Sequence, residues 1–286
     1  MEKIYLNELS LEGQFDSLDD FLDKSMSFIK CLKYITGQNK QISKSANIYN
    51  RKITCNKTLH DLRGMTGDKA RKLKSLLLKT TDAPPFWDIE KEIAQEKNAS
   101  YTLDNYSVSG TSIAEAAEKS GILISFSEYR YSDKELNILK NEEEELKTIS
   151  ISSCNYMAIY LWKNEEIQIH PFLKLRYDGT RLEFCEFQEK YGFQTFEKNE
   201  IEECINTFDK FIKLTDWSAV FSDKSLHYKK YSPASKEDNW FKNTTYQNIT
   251  IDKFRCGNPK RCFGYRKDEK FYALRMERDH KISDKG

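Results

Sequence analysis

No stretch of this chain approaches the roughly 20 consecutive apolar residues that cross a bilayer. Its first residues, "MEKIYLNELSLEGQF", carry neither the charged-then-apolar layout nor the small-residue cleavage site of a secretion signal. These two absences predict a cytoplasmic protein without a membrane partner. Cysteine spacing is equally bare. Cys31, Cys55, Cys154, Cys185, Cys204, Cys256 and Cys262 are odd in number and include no CxxC pair. Reduced thiols fit that pattern better than a disulfide framework or a zinc site, so neither a structural metal nor a cofactor is expected. No GxxxxGK follows "VSGTS", which removes a nucleotide loop and leaves that stretch as a plain helix N-cap ahead of an anion site. No Ser-His-Asp or Cys-His set can be assembled from spacing, because such sets are recognised by geometry. Internal repeats and low-complexity linkers are missing as well.

What is present is a very polar globular composition. Hydrophobic residues make up 38% of the 286, aromatics 13% and charged residues 32%, with a mean hydropathy of -0.74. A core can be buried, and the length suits two modest domains. The formal charge of +1 conceals an asymmetry: residues 224–286 hold 16 Lys and Arg against 8 Asp and Glu, a net of +8, which leaves -7 on the rest. A basic segment of this kind attracts a polyanion or docks on its acidic neighbour within the chain.

Hydrophobic spacing gives an α+β architecture: a helical and mixed region over residues 1–195, then a basic C-terminal helix and antiparallel β-meander over 196–286. After a strand-like "KIYL", Leu18, Phe21, Leu22, Met26, Ile29, Leu32 and Ile35 recur at helical intervals, behind an N-cap at Asp16 or Ser17 and ahead of Gly37. A second helix is predicted over 67–80, capped by Asp68, striped by Ala70, Leu73, Leu76 and Leu77, and stopped by "DAPPFWD". A third runs from about Thr111 to Lys119, with Gly121 as its stop and a buried strand over 122–126 behind it. "KNEEEELK" reads as an exposed charge run. "TISISS", "YMAIYLW" and "EIQIHPFL" are rich in β-formers and predict strands, and "DGTRLEFCEF" predicts a turn at Asp178-Gly179 and one strand more. Ile201, Ile205, Phe208, Phe211 and Ile212 then share one face of a long helix.

Near Thr250 the hydrophobic period changes from helical to alternating. "ITIDKFRC", "RCFGYR" and "KFYALRME" are three short β-like runs, separated by turns at Gly257-Asn258-Pro259 and Lys267-Asp268-Glu269. In the middle run Arg261, Phe263 and Tyr265 face one way and Cys262, Gly264 and Arg266 the other. Gly264 marks a bulge or a close backbone approach. With its preceding helix and "YKKYSP" connection, "DKFRCGNPKRCFGYRKDEKFYALRMERDHK" resembles the closing half of RelE/ParE-type toxins. In RNA-cleaving members of that group, basic and Tyr or His side chains on the sheet hold the phosphate backbone and assist proton transfer. The resemblance implies such roles for Arg255, Arg261, His280 and Lys281.

Metal-free RNA cleavage needs a base for the 2'-hydroxyl, a cation for the phosphorane charge and an acid for the leaving 5'-oxygen. His280 is the candidate base or acid. Arg261 or Arg275 is the candidate cation, forking two N–H donors to phosphate, and Tyr265 or Tyr272 would stack on a base or donate a proton. Arg255, Lys260, Arg266 and Lys281 are the candidate nucleic-acid-binding residues. The expected function is a toxin-like, metal-independent endoribonuclease with RNA ahead of DNA as partner. The resemblance adds stress or phage defence as its setting and a protein inhibitor or activator as a further partner.

Other readings stand beside this one. Alternating Arg and Lys on a sheet also make an ordinary solvated face that discourages aggregation, so the alternative is a non-enzymatic protein whose tail docks nucleic acid or an acidic partner. Arg275 and His280 have the spacing of the HEPN ribonuclease motif, which needs a helix where the turn pattern predicts a strand. Asp178, Glu186 and Lys190 are a loose echo of a metal-dependent nuclease, at a spacing that surface charges also produce. His60, between Leu59 and Leu62, reads as structural.

Overall fold

The computed structural model describes residues 3–68, 70, 71, 74, 75, 77, 83–89, 93–126 and 130–282. The chain is α+β and forms two compact units, Met1–Leu161 and Trp162–Gly286. The expected boundary near residue 195 falls inside the second unit. The reason is aromatic packing: Tyr177 and Phe184 meet Phe208 with ring centroids 5.9 and 5.1 Å apart, so residues on both sides of 195 build one core.

The first unit holds a seven-stranded sheet of order β2-β1-β5-β7-β6-β3-β4. Its strands are β1 Ile4–Leu6, β2 Ile42–Ser43, β3 Tyr101–Leu103, β4 Tyr106–Ser107, β5 Ile122–Ile124, β6 Lys134–Lys140 and β7 Glu144–Ile151. β2, β1, β5 and β7 are parallel, and β6, β3 and β4 extend the sheet by antiparallel pairing. Parallel strands covered on both faces need unbroken apolar runs, and β1 and β5 are buried at every position. Between β1 and β5 the strand order reverses, the place where open α/β sheets receive ligands. Here the chain fills that crevice itself. Asn7 Nδ2 donates to Ser125 Oγ at 2.9 Å, the Ser125 and Ser150 hydroxyls lie 2.7 Å apart, and the Phe126 N–H donates to Ser10 Oγ at 2.9 Å.

The helix read over 18–35 is two helices, α1 Leu18–Lys24 and α2 Met26–Gly37. They meet at Ser25, and Ser17 is the N-cap, its side chain accepting from the Asp20 N–H. Of the helix predicted over 67–80, Asp68, Ala70, Arg71, Lys74, Ser75 and Leu77 are helical, and Leu73 and Leu76 lie outside the described residues. α3, Ser112–Glu118, stands where capping and periodicity put it. Its first N–H is already taken, because Ser112 donates to the buried Glu8 carboxylate at 2.9 Å. Burial raises the Glu8 pKa against the lowering effect of those bonds.

Two predicted strands are helices: "YMAIYLW" lies in α4, Cys154–Lys163, and "EIQIHPFL" supplies most of α5, Ile169–Arg176. Capping and burial override β-propensity in α4. Asp133 Oδ1 accepts the N–H groups of Ser152 and Ser153 at 2.8 and 3.0 Å, the Ser153 hydroxyl accepts from Tyr156 N–H at 3.2 Å, and the buried Cys154, Met157, Ala158 and Leu161 recur at helical spacing. In α5, Pro171 sits in the first turn, where its missing N–H has no intrahelical partner to lose. His60 is exposed on the 3-10 turn Leu59–Gly64, so it is not the structural residue its apolar neighbours suggest.

The second unit has a five-stranded sheet of order β8-β12-β11-β10-β9, made of β8 Leu182–Glu183, β9 Lys229–Lys230, β10 Asp252–Arg255, β11 Arg261–Lys267 and β12 Lys270–Glu277. β9 to β12 form an antiparallel meander, with β8 added in parallel beside β12. The helix α6, Lys198–Lys213, covers one face through Phe208 and Phe211, which meet Phe254 at 6.2 and 5.0 Å. Its buried line is Cys204, Phe208 and Phe211, rotated from the expected line through Ile201 and Ile212. The other face is covered by the segment over residues 231–251, whose Tyr231, Phe241 and Ile251 pack with Phe263 and Leu274. That second cover was not legible as an element, because the segment has no regular period. α7, Trp217–Ser222, follows α6.

β11 and β12 slip register between Phe263 and Gly264, the bulge that Gly264 predicts. A Cβ on Gly264 would stand 2.1 Å from Tyr272 O, a backbone atom that cannot swing aside. Gly264→Ala is therefore expected to cost about 3 kcal/mol by overpacking, read as a lower urea midpoint; an unchanged midpoint would refute the close approach. Asp223 gives a pH test. Burial pushes its carboxyl upward, but Lys210, the Ser225 hydroxyl and the Leu226 and Ser225 N–H groups outweigh that and hold it at about 2. A depressed carboxyl stabilises above the unfolded pKa and loses that contribution as pH falls through the folded one. Asp223→Asn should cost roughly 1–2 kcal/mol at pH 7, allowing for the half-exposed Lys210. The gap between variant and wild type should close as pH drops from about 4 to about 2, and a gap independent of pH would exclude the charge as its source.

Candidate nucleic-acid interface

The candidate residues of the tail divide into those the fold takes inside and those it leaves at the surface. Arg275 is 2% exposed. Its Nε donates to Gln188 Oε1 at 2.6 Å and its Nη1 donates to the Trp240 carbonyl. The guanidinium is walled by the rings of Tyr191, Phe241 and Trp240, at 4.0, 4.4 and 5.1 Å from their centroids. Burial lowers its pKa, and the neighbouring tyrosines counter that. Arg261 is buried too, its Nη1 donating to the carbonyls of Pro259 and Lys260 at 2.7 and 2.8 Å. Lys260 is buried and ion-paired with Glu203 of α6 at 2.7 Å. These three cations do not face solvent, so the reading of Arg275 or Arg261 as a phosphate fork is corrected: the same N–H donors serve backbone and Gln188 acceptors.

The remaining candidates do not converge on one centre. Arg255 lies opposite Arg261 across β10 and β11, half-buried, with its Nε enclosed and without a hydrogen-bond partner. His280 lies just beyond β12 in left-handed backbone, φ 60, and the exposed Lys281 is 3.5 Å from Asp279. Tyr265 is four residues along β11 from Arg261, about 13 Å at the rise of a strand. A general acid or base must come within hydrogen-bond reach of the same substrate atoms as its partners, and residues at the two ends of one strand do not. The HEPN-type alternative fails locally, because Arg275 sits inside strand β12 and not on a helix. Among the described residues no group of three or more His, Cys, Asp or Glu side chains could hold a metal ion. Glu186, from the metal-nuclease echo, is instead bonded to phenols.

Two surface clusters gather at the other end of the β11–β12 hairpin, one on each face of the sheet. On the α6 side, the Arg266 guanidinium lies 4.3 Å from the Trp217 ring and that of Arg181 lies 5.3 Å from it. Trp217 is fixed by α7 and by its Nε1, which donates to the Asp268 carbonyl at 3.2 Å. The Phe221 ring, 54% exposed, meets Trp217 at 5.9 Å and Tyr228 at 5.3 Å. Tyr228 donates to Asp252 Oδ2 at 2.9 Å, and Lys229 and Lys230 follow it, exposed on the edge strand β9. Burial raises the Asp252 pKa, opposed by the Tyr228 bond and by the charges of Lys230 and Arg266.

On the opposite face, Tyr265 and Tyr272 stack across β11 and β12 with centroids 5.1 Å apart and planes 13° apart. Tyr246 approaches Tyr265 at 6.2 Å. Glu186 accepts from the Tyr246 phenol at 3.1 Å and from the Tyr265 phenol at 3.1 Å through each oxygen. Burial, then Glu186, raise the Tyr265 pKa, which keeps that phenol a donor. Trp217, Phe221, Tyr228 and Tyr246 escaped the sequence reading because they lie in short or irregular segments, where no period assigns a face. The aromatic density of residues 217–246 was the available signal.

The inward role of Arg275 has a direct consequence. Arg275→Leu should cost about 3 kcal/mol, since it strips a charged donor from two buried acceptors, whereas Arg266→Leu, at the surface, should cost under about 1 kcal/mol. Urea denaturation of the two variants measures the contrast, and equal losses would mean that Arg275 is not a structural cation. No protein-family model matches this chain, and neither does any curated protein or solved structure.

Proposed function

We propose that the C-terminal unit binds single-stranded nucleic acid at the hairpin end of its sheet, with RNA ahead of DNA. The observation that carries this reading is the Arg266–Trp217–Phe221–Tyr228 cluster continuing into the exposed Lys229 and Lys230. Single strands are held by aromatic faces on which bases stack and by cations that follow the backbone. The open ring of Phe221 offers the first, and Arg266, Lys229 and Lys230 offer the second.

RNA stands ahead of DNA on the resemblance to RelE/ParE-type toxins, which also carries the cleavage reading. Binding is the part that the side-chain arrangement supports. Cleavage has its own readout in the same experiment: labelled RNA and DNA incubated in EDTA and run on a denaturing gel. RNA shortened by the wild-type protein but not by His280→Ala would support chemistry just beyond β12, where His280 lies. Retention without shortening supports a binding module.

Affinity should fall steeply with salt, because cations that neutralise phosphates release counterions. For a single strand each lost phosphate contact flattens the slope of log K against log salt by about 0.7, so Lys229→Ala with Lys230→Ala should flatten it by about 1.4. Phe221→Ala should cost about 1–3 kcal/mol at every salt concentration, as the loss of one stacked base does. Fluorescence anisotropy with labelled oligonucleotides measures both. Binding that ignores salt, or no binding at low ionic strength, would leave the basic charges as intramolecular partners.

A further inference from the structure

Asp252 stands among the cations of the proposed binding surface. Strand pairing sets it between Lys230 of β9 and Gly264 of β11, and Arg266 follows two residues beyond Gly264. The charges of Lys230 and Arg266 both act on its carboxyl. The Tyr228 phenol donates to Oδ2 at 2.9 Å. Burial, then the Asp252 charge, raise the Tyr228 pKa, which keeps that phenol a donor. Among the described residues nothing donates to Oδ1, which reaches solvent. A carboxylate here is at odds with cations that follow a sugar-phosphate backbone, because it repels every phosphate they hold. The conflict is relieved where the backbone itself brings a hydrogen-bond donor. A DNA backbone brings none, since its phosphate, ester and ring oxygens only accept. RNA adds one donor to each nucleotide, the 2'-hydroxyl, on the sugar between successive phosphates.

We propose that Asp252, held by Tyr228, is the specificity-determining residue of this surface: its Oδ1 accepts from a ribose 2'-hydroxyl and selects RNA over DNA, a role that rests on the proposed single-strand binding. Tyr228 spans the two parts of the site. Its ring meets the exposed Phe221 at 5.3 Å, and its phenol holds the carboxylate at the other end. A base stacked on Phe221 and a sugar at Asp252 then belong to one stretch of strand. Lys230 and Arg266, on the strands to either side of β10, are left for the flanking phosphates. A single O–H donor needs only one free carboxylate oxygen, and Oδ1 supplies it while Oδ2 stays with the phenol.

The test is fluorescence anisotropy of the whole chain with 5'-phosphorylated, 3'-labelled oligouridine of equal length in ribose, 2'-deoxy and 2'-fluoro forms. The 2'-fluoro strand keeps an RNA-like sugar shape and lacks the donor. Uracil and the blocked ends are common to all, so neither a base nor a terminal hydroxyl can produce a difference. The ribose strand should bind about tenfold tighter than the other two, the size of one hydrogen bond to a charged group. Asp252→Ala removes the acceptor together with a repulsive charge. That variant should bind the deoxy strand more tightly than wild type does, which also shows it folded, and should lose the ribose preference. A preference retained in Asp252→Ala would refute the role of Asp252. So would a 2'-fluoro strand that binds wild type as the ribose strand does, a result that needs no variant. Equal affinity of wild type for all three would overturn the proposal while leaving single-strand binding intact. Failure to bind any strand would overturn both.

Discussion

One buried cation organises the second unit. The Arg275 guanidinium ties three pieces of chain: β12, which bears it, the segment of Gln188, whose N–H also donates to the Leu274 carbonyl, and the segment of Trp240. A charge this enclosed is tolerated only where donors meet acceptors and aromatic faces replace part of the lost hydration. Tyr191, Phe241 and Trp240 supply those faces. The surface clusters follow from this. Glu186 is two residues before Gln188, and Tyr246 belongs to the segment that starts its cover of the sheet at Tyr231 and passes through Trp240. With both segments pinned to one side chain, the carboxylate and its phenols are held at fixed places on an exposed face.

That interior cation also explains which parts of the fold were legible. The regular elements that bury one stripe or one face announced themselves. The helix α6, though not the line it buries, the three strands of the meander, the Gly264 bulge and the capped α3 with its Gly121 stop were readable from period and turn chemistry. Misreadings came where two periods compete over a short window. "YMAIYLW" offers β-formers to a propensity count, while its helical identity depends on Asp133, a residue some twenty positions earlier that caps the helix through space. Propensity is local, and a cap delivered by another element is not.

The candidate site was partly legible for a related reason. Tyr265 and Arg266 stand in a strand with clean alternation, so their opposite faces could be assigned in advance. Whether a face meets solvent depends on what covers it, and the cover of one face is the irregular segment over 231–251. Nothing in the alternation of β11 and β12 distinguishes an arginine pointing at water from one pointing into Tyr191 and Trp240. Arg275 and Arg261 were therefore read as phosphate ligands when the fold gives both to its own carbonyls.

Charge counting carries the same error in a form that matters for binding. The net of +8 over residues 224–286 suggests a uniformly basic tail, but Lys253, Lys260, Arg261 and Arg275 are all buried. Lys253 lies over the rings of Tyr231 and Phe263, 5.6 and 5.9 Å away, and Lys260 is matched by Glu203 of α6. A polyanion approaching the unit meets none of these ammonium and guanidinium groups directly. The exposed cations are Lys229 and Lys230 on the edge strand β9, Arg266 and Lys267 at the β11–β12 turn, and Lys224, Lys236, Lys242 and Lys281 elsewhere in the tail. Counterion release scales with the phosphates actually neutralised, so on the proposed binding the salt dependence would follow from the exposed cations and not from the composition of the tail. The interior cations hold the sheet and its covering segment in register, and the exterior ones are free of that duty.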